Sequence, residues 1–193
     1  LHSISIPNSV TSIGPHAFYR CFAFTSINIP ASVKTIGDSA FYYCGSVTSI
    51  VVDSKNPNYY SDDYNAIIEK KSNSLIVGCM NTTIPPNIRA IREYAFYGCS
   101  HLSSTKIPNT VISIGFWAFS GCSSLTSIFI PKSVTNMGAN VFNGCSGLTV
   151  INCEATKQPA DWDGDWKNGC NAKVNWNVPE PTMSFGTSST LMY

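Results

Sequence analysis

Charge is what this sequence has least of. Only 12% of its 193 residues are Asp, Glu, Lys or Arg, and twelve cations against eleven anions leave a net charge of +1. No run of Lys or Arg occurs, which removes the electrostatic footprint of a protein that grips nucleic acid or an anionic membrane surface. No apolar stretch approaches the roughly 20 residues that span a bilayer, and no signal-peptide pattern opens the chain. Histidine is scattered (His2, His16, His101) and no C-x-x-C spacing is present, so zinc has no ligand set. The run from Asp161 to Asp165 has part of a calcium loop, but glycine stands fourth rather than sixth and Ala172 takes the closing glutamate's place. It reads as solvated turn carboxylates. Also missing are G-x-S-x-G, a Walker loop, H-E-x-x-H, a Cys/His pair in recognisable context and a carboxylate pair suited to glycoside hydrolysis. These absences predict no enzyme, no cofactor, no metal, no nucleic-acid partner and no membrane insertion.

What the sequence does have is a repeat. Prolines fall at Pro7, Pro30, Pro85, Pro108 and Pro131, with spacings of 23, 55, 23 and 23. Phe18, Phe41, Phe96, Phe119 and Phe142 keep step, as do Cys21, Cys44, Cys99, Cys122 and Cys145. Each unit reads Leu-x-x-Ile-x-Ile-Pro-x-Ser-Val-x-x-Ile-Gly-x-x-Ala-Phe-x-x-Cys. It carries two short period-two apolar stretches, one ending at Ile-Pro and one through Val-x-x-Ile, both expected to be strands. Proline stops the first, having no N–H for a ladder and an extended bias on the residue before it. Gly14, Gly37, Gly115 and Gly138 mark a second corner, where positive φ or close backbone approach favours glycine. The Ala-Phe segment then returns through a short helical or irregular turn. One such coil cannot bury its own apolar side chains, so coils stack about 4.8 Å apart into a solenoid.

The string at residues 1 to 21 resembles the BspA-like class of leucine-rich repeats, and the resemblance runs from residue 1 to about 153. Departures stand at Arg92 for glycine, Thr105 and Met137 for isoleucine, and Val141 for alanine. The expected fold is an α/β-type leucine-rich-repeat solenoid of mostly short parallel strands with irregular or short helical turns. The 55-residue interval contains one regular unit and one enlarged to 32, spanning about 47–78. Within it Tyr64 to Ile68 and Leu75 to Val77 flank a polar turn, predicting a β-hairpin that projects from one edge. After Cys153 the period fails, and Trp162, Trp166 and Trp176 are expected to close the open end as a cap over 154–176. Residues 177–193 read as a linker or edge-lying tail. Leu1 already fills the first repeat position without an initiator Met, so further coils or a signal peptide are expected upstream.

Stacked cysteines point the same way with Cβ atoms about 4.8 Å apart, beyond the roughly 3.8 Å of a disulfide. A buried thiol ladder is the preferred arrangement, with a Cys153 to Cys170 bond left open as a clamp on the cap. Candidate binding residues are outward positions of the first strand and the tyrosines of the insertion: Thr25, Asn28, Val51, Lys106, Phe129, Tyr59, Tyr60 and Tyr64. The first-strand face is flat, hydroxyl-rich and nearly uncharged, suited to repeated hydrogen bonding with an extended peptide or polysaccharide. A second row, Tyr19, Tyr42 and Tyr97, either anchors a partner or packs on neighbouring coils. The functional expectation is a non-catalytic recognition module binding a protein ligand. The resemblance adds a cell-surface or secreted setting and adhesion to host or neighbouring-cell proteins. The alternatives are a carbohydrate-targeting or spacer domain of a larger secreted enzyme, and a structural solenoid that associates end to end.

Overall fold

In the computed structural model residues 3–181 are described. Leu1, His2 and the tail from Thr182 onward lie outside the described residues. Fourteen strands follow in chain order: β1 (Ser3–Ser5), β2 (Ser12–Ile13), β3 (Ser26–Ile29), β4 (Thr35–Ile36), β5 (Ser49–Val52), β6 (Tyr59–Tyr60) and β7 (Ile67–Glu69). The others are β8 (Ser74–Val77), β9 (Ala90–Ile91), β10 (Ser113–Ile114), β11 (Ser127–Ile130), β12 (Asn136–Met137), β13 (Val150–Cys153) and β14 (Lys173–Asn175). Among the described residues the one helical element is a 3-10 turn at Asp62–Tyr64. The chain is a mostly parallel β-solenoid, and its return limbs are irregular turns rather than helices.

The 23-residue period is the pairing register itself. Ser3 pairs with Ser26, and Ser26 with Ser49, in the sheet β1-β3-β5. Ser127 pairs with Val150, and Val150 with Lys173, in the sheet β11-β13-β14. Because the strands are in register, identical side chains stack: Ile27 lies beside Ile50, and Ile128 beside Ile151, all buried. The return limbs stack likewise, with Phe18 on Phe41 at 5.0 Å and Phe96 on Phe119 at 4.9 Å between ring centroids. The cysteines form the expected ladder. The thiol of Cys44 donates to the carbonyl of Phe18 at 3.2 Å, that of Cys122 to Phe96 at 3.3 Å and that of Cys145 to Phe119 at 3.0 Å. All eight cysteines are free, Cys153 and Cys170 among them. Burial pushes the Cys44 and Cys145 thiols up to about 12, so they stay neutral and unreactive.

At the second corner it is close approach, not φ, that demands glycine. A Cβ at Gly115 would sit 2.5 Å from the Glu93 nitrogen, and one at Gly37 would sit 2.4 Å from the Pro15 nitrogen. Each clash is with the preceding coil. Arg92 holds the same repeat position, but the coil before it is the enlarged one, which lacks this corner, so a side chain fits. Its guanidinium crosses the gap to Asp38 at 3.5 Å and pairs with Glu93 at 3.0 Å.

Two sequence expectations are corrected. The hairpin exists, as antiparallel β7 and β8, but it does not project: β8 pairs in parallel with β9, and Ile67, Ile68 and Leu75 are fully buried. Its period-two side chains face two different cores, Ile67 the N-terminal one and Ile68 the C-terminal one. The pairing period also outlasts the consensus. After Cys153 the repeat residues disappear, yet Lys173 still pairs with Val150 and the backbone N–H of Val141 still donates to Trp166. Trp162 and Trp166 are buried against Met137 and Phe142, with the Trp162 indole N–H donating to the Val134 carbonyl at 3.0 Å.

The enlarged coil has no Ala-Phe-x-x-Cys limb, so the limbs of its two neighbours meet directly. The Tyr42 ring lies 4.4 Å from that of Tyr94 and 4.6 Å from that of Tyr97. This resolves the tyrosine row. Tyr42 and Tyr97 clasp the solenoid across a break in its backbone ladder, and Tyr19 extends the stack from Tyr42 at 5.2 Å.

Candidate ligand-binding groove

The Ile-Pro corner recurs in every regular coil, so it forms a rim running the length of the solenoid beside the first-strand sheet. Three depressions line up along this rim. The first, about 320 Å³, is bounded by Ser5, Asn28, Pro30, Val51 and Asp53. It adjoins, at Val51, a second of about 740 Å³ walled by Tyr60, Asp62, Asp63, Tyr64 and Lys70. That one adjoins, at Pro86, a third of about 630 Å³ lined by Ser104, Thr105, Lys106, Asn109 and Glu180. The three succeed one another as a groove whose lining mixes apolar with polar and charged groups.

The insertion shapes the middle of this groove. An exposed edge at β5 would offer unpaired backbone groups to any passing strand. Here side chains of the insertion cover it: the N–H of Val52 donates to Ser61 Oγ at 2.9 Å, and that of Ile50 donates to Asn65 Oδ1 at 2.5 Å. Asn65 Nδ2 in turn donates to the Thr48 carbonyl at 2.9 Å. Asn65 reaches this position from a left-handed backbone, φ 56, which asparagine tolerates better than most residues. The first-strand ladder therefore stops at β5, and it does not resume until β11, because the segment between them at 102–107 forms no strand. Thr105, in place of the usual isoleucine, lies in that gap and lines the groove.

Five of the eight residues singled out by sequence come together here: Asn28, Val51, Tyr60, Tyr64 and Lys106. Val51 is 50% exposed. Tyr60 and Tyr64 are half-buried, backed by the C-terminal core, and the Asn87 amide reaches the Tyr60 hydroxyl at 3.5 Å. Lys106 Nζ pairs with Glu180 at 3.0 Å, with its side chain 70% exposed. Three residues do not join them. Thr25 is exposed on the sheet beside β3, where its carbonyl accepts from the Thr48 N–H and hydroxyl. Phe129 is half-buried on β11, aligned with Asn152 of β13 and away from the groove lining. Tyr59 is the correction: it is 4% exposed, and its hydroxyl accepts the Ile36 N–H at 2.9 Å. Burial raises its pKa, against the opposing pull of that amide, and the residue belongs to the core. Its neighbour Tyr60 took the other face because successive strand residues alternate. The sequence reading missed Ser61 and Asn65, whose roles depend on an edge 9 and 15 residues away in the chain.

Among the described residues no group of three or more His, Cys, Asp or Glu side chains could hold a metal ion, and no helix is long and apolar enough to cross a membrane.

A family model for the BspA type leucine rich repeat region matches residues 1–66 and 67–160, in six copies. A leucine-rich repeat protein from Eubacterium ventriosum is similar over 77% of this chain and 41% of its own, at 29% identity and a TM-score of 0.67. A leucine rich cell surface protein from Faecalibacterium prausnitzii is similar over 93% of this chain and 55% of its own, at 29% identity and a TM-score of 0.64. The pneumococcal vaccine antigen PcpA, 19% identical over 87% of this chain and 48% of its own, shares the fold with a TM-score of 0.61. The chain thus spans about half the length of these structures. No curated protein matches it.

Proposed function

The chain belongs to the BspA-type leucine-rich repeat family, and from that premise we propose that it is a non-catalytic recognition module of a cell-surface or secreted protein, binding a protein ligand along the rim groove. The observation that carries this is the succession of depressions that share Val51 and Pro86 as boundaries: from Ser5 to Glu180 they offer hydroxyls, amides and tyrosine faces in series. Such a surface suits an extended partner held by many modest contacts. The cell-surface description of the Faecalibacterium prausnitzii relative supports the setting. Adhesion to a host or neighbouring-cell protein is the role this combination fits. Polysaccharide binding and end-to-end association are the competing roles. The first is less well served, because Tyr42 already packs against Tyr19, Tyr43, Tyr94 and Tyr97 and has little free face for a sugar.

Binding of the purified chain to a panel of extracellular-matrix proteins and polysaccharides tests the proposal, with Val51→Asp in the groove and Phe129→Ala outside it. Saturable protein binding that falls about tenfold in Val51→Asp and holds in Phe129→Ala, with both melting temperatures unchanged, is expected of a groove contact. Glycan-only binding favours the carbohydrate role. Binding lost in Phe129→Ala instead moves the site to the sheet.

A further inference from the structure

The C-terminal segment behaves unlike a cap. After β14 the N–H of Asn177 donates to the Ala155 carbonyl at 2.8 Å, and that of Val178 to the Cys153 carbonyl at 3.0 Å. These bonds hold it beside the end of β13. It reaches back across two coils and places Glu180 against Lys106, where both side chains form part of the wall of the third depression. The segment reads Val-Pro-Glu-Pro. Both prolines fix φ near −65° and hold the residue before them extended, so little conformational freedom is lost when it lies in a groove. Prolines also bring no N–H that the groove must satisfy. Beneath it, residues 102–107 form no strand, and this is the stretch of the first-strand face where the sheet ladder is interrupted.

Resting on the reading of the groove as a recognition site, we propose that its ligand is an extended peptide carrying a carboxylate between prolines, and that residues 178–181 are an intramolecular copy of that ligand, occupying the Lys106 end until a partner displaces them. The chemistry is complementary at that end: Lys106 offers a cation, and Ser104, Thr105 and Asn109 offer hydroxyl and amide groups around it. A bound strap lowers apparent affinity by the fraction of molecules it closes. Because the ion pair is exposed on both sides, 70% and 43%, its release is worth about three- to fivefold in apparent affinity rather than orders of magnitude.

The test uses the whole chain and a labelled synthetic peptide, Asn-Val-Pro-Glu-Pro, copied from residues 177–181, with fluorescence anisotropy as readout and circular dichroism to verify folding. Glu180→Lys, which repels Lys106 and opens the strap, is expected to bind the peptide at least threefold more tightly than the unaltered chain. Lys106→Glu is expected to lose that peptide and to take up a version with lysine in place of its glutamate. Equal binding by the unaltered chain and Glu180→Lys, or no binding by Glu180→Lys up to millimolar peptide, overturns the proposal. The matrix panel separates this from the broader reading: protein binding that remains sensitive to Val51→Asp while the peptide is ignored removes the strap and leaves the recognition groove. A peptide effect without any panel ligand removes the matrix-adhesion role and leaves the strap.

Discussion

Gly14, Gly37 and Gly115 hold one repeat position, but their surroundings differ, and that difference fixes the sign of a single substitution. At Gly115 an added Cβ meets the Glu93 nitrogen at 2.5 Å, roughly an ångström inside ordinary contact, and the obstacle is backbone that cannot rotate away. At Gly14 an added Cβ meets nothing within 4 Å. Neither glycine has the positive φ that would penalise alanine. Alanine at an unobstructed glycine stabilises by about 0.4–1 kcal/mol, through loss of unfolded-state entropy. Forcing coils apart costs about 1–3 kcal/mol, as overpacking does elsewhere. Gly14→Ala is therefore expected to raise the melting temperature of this chain by about 1–4 °C, and Gly115→Ala to lower it by about 2–12 °C, at roughly 2–4 °C per kcal/mol for a protein of this size. Arg92→Ala, at the same repeat position, loses only half-exposed ion pairs and is expected to cost at most about 1 kcal/mol. Thermal melts followed by circular dichroism read all three. A Gly115→Ala protein as stable as Gly14→Ala would refute the claim that coil-to-coil backbone approach, rather than turn conformation, selects glycine here.

Tyr59→Phe keeps the packing but strips the acceptor from the part-buried Ile36 N–H, so a loss of about 0.5–1.5 kcal/mol in urea unfolding is expected; an unchanged midpoint would refute a structural role for that hydroxyl. The thiol ladder predicts alkaline sensitivity. Burial raises Cys145 from its ordinary 9.0 to about 12, so the unfolded chain ionises first; stability is intact below the unfolded value and falls as pH climbs from about 9 toward 12. Between pH 8 and 10 this costs about 1.4 kcal/mol at Cys145, and Cys145→Ala is expected to lose correspondingly less stability over that interval. Parallel pH profiles for the two proteins would contradict it.

The regular coils were legible because five residue types kept one spacing, and a stacking register of 23 follows from that spacing alone. The enlarged coil was legible only in part. Alternation in Ile67 and Ile68 marks a strand, but it cannot say that both faces are covered; a half-buried hairpin and a fully buried one differ in what lies beyond the chain's own neighbours. Tyr59 and Tyr60 show the same limit, since adjacent tyrosines offer no hydrophobic contrast to tell core from surface. The tryptophan-rich closure of the C-terminal end was legible, but its continued register was not, because Trp162 and Trp166 fill with bulk what phenylalanine and isoleucine fill elsewhere, so composition changed while pairing did not. Of the groove, the sequence supplied the lining but not the depth: nothing in the period announces that Ser61 and Asn65 will cover β5 and leave 102–107 outside any strand.

The strand β7 carries a consequence for how the molecule fails. With Ile67 in one core and Ile68 in the other, two adjacent side chains form the partition between hydrophobic interiors that share no stacked phenylalanine and no continuous first-strand sheet. Nearest-neighbour coupling, which lets a stack of identical coils melt as one, is weakest at that partition. The chain is thus built as two cores joined by a bulkhead, held together by the tyrosine clasp and the sheet from β6 to β12, and heat or tension along the axis is expected to open one core before the other, read as two transitions in a calorimetric scan.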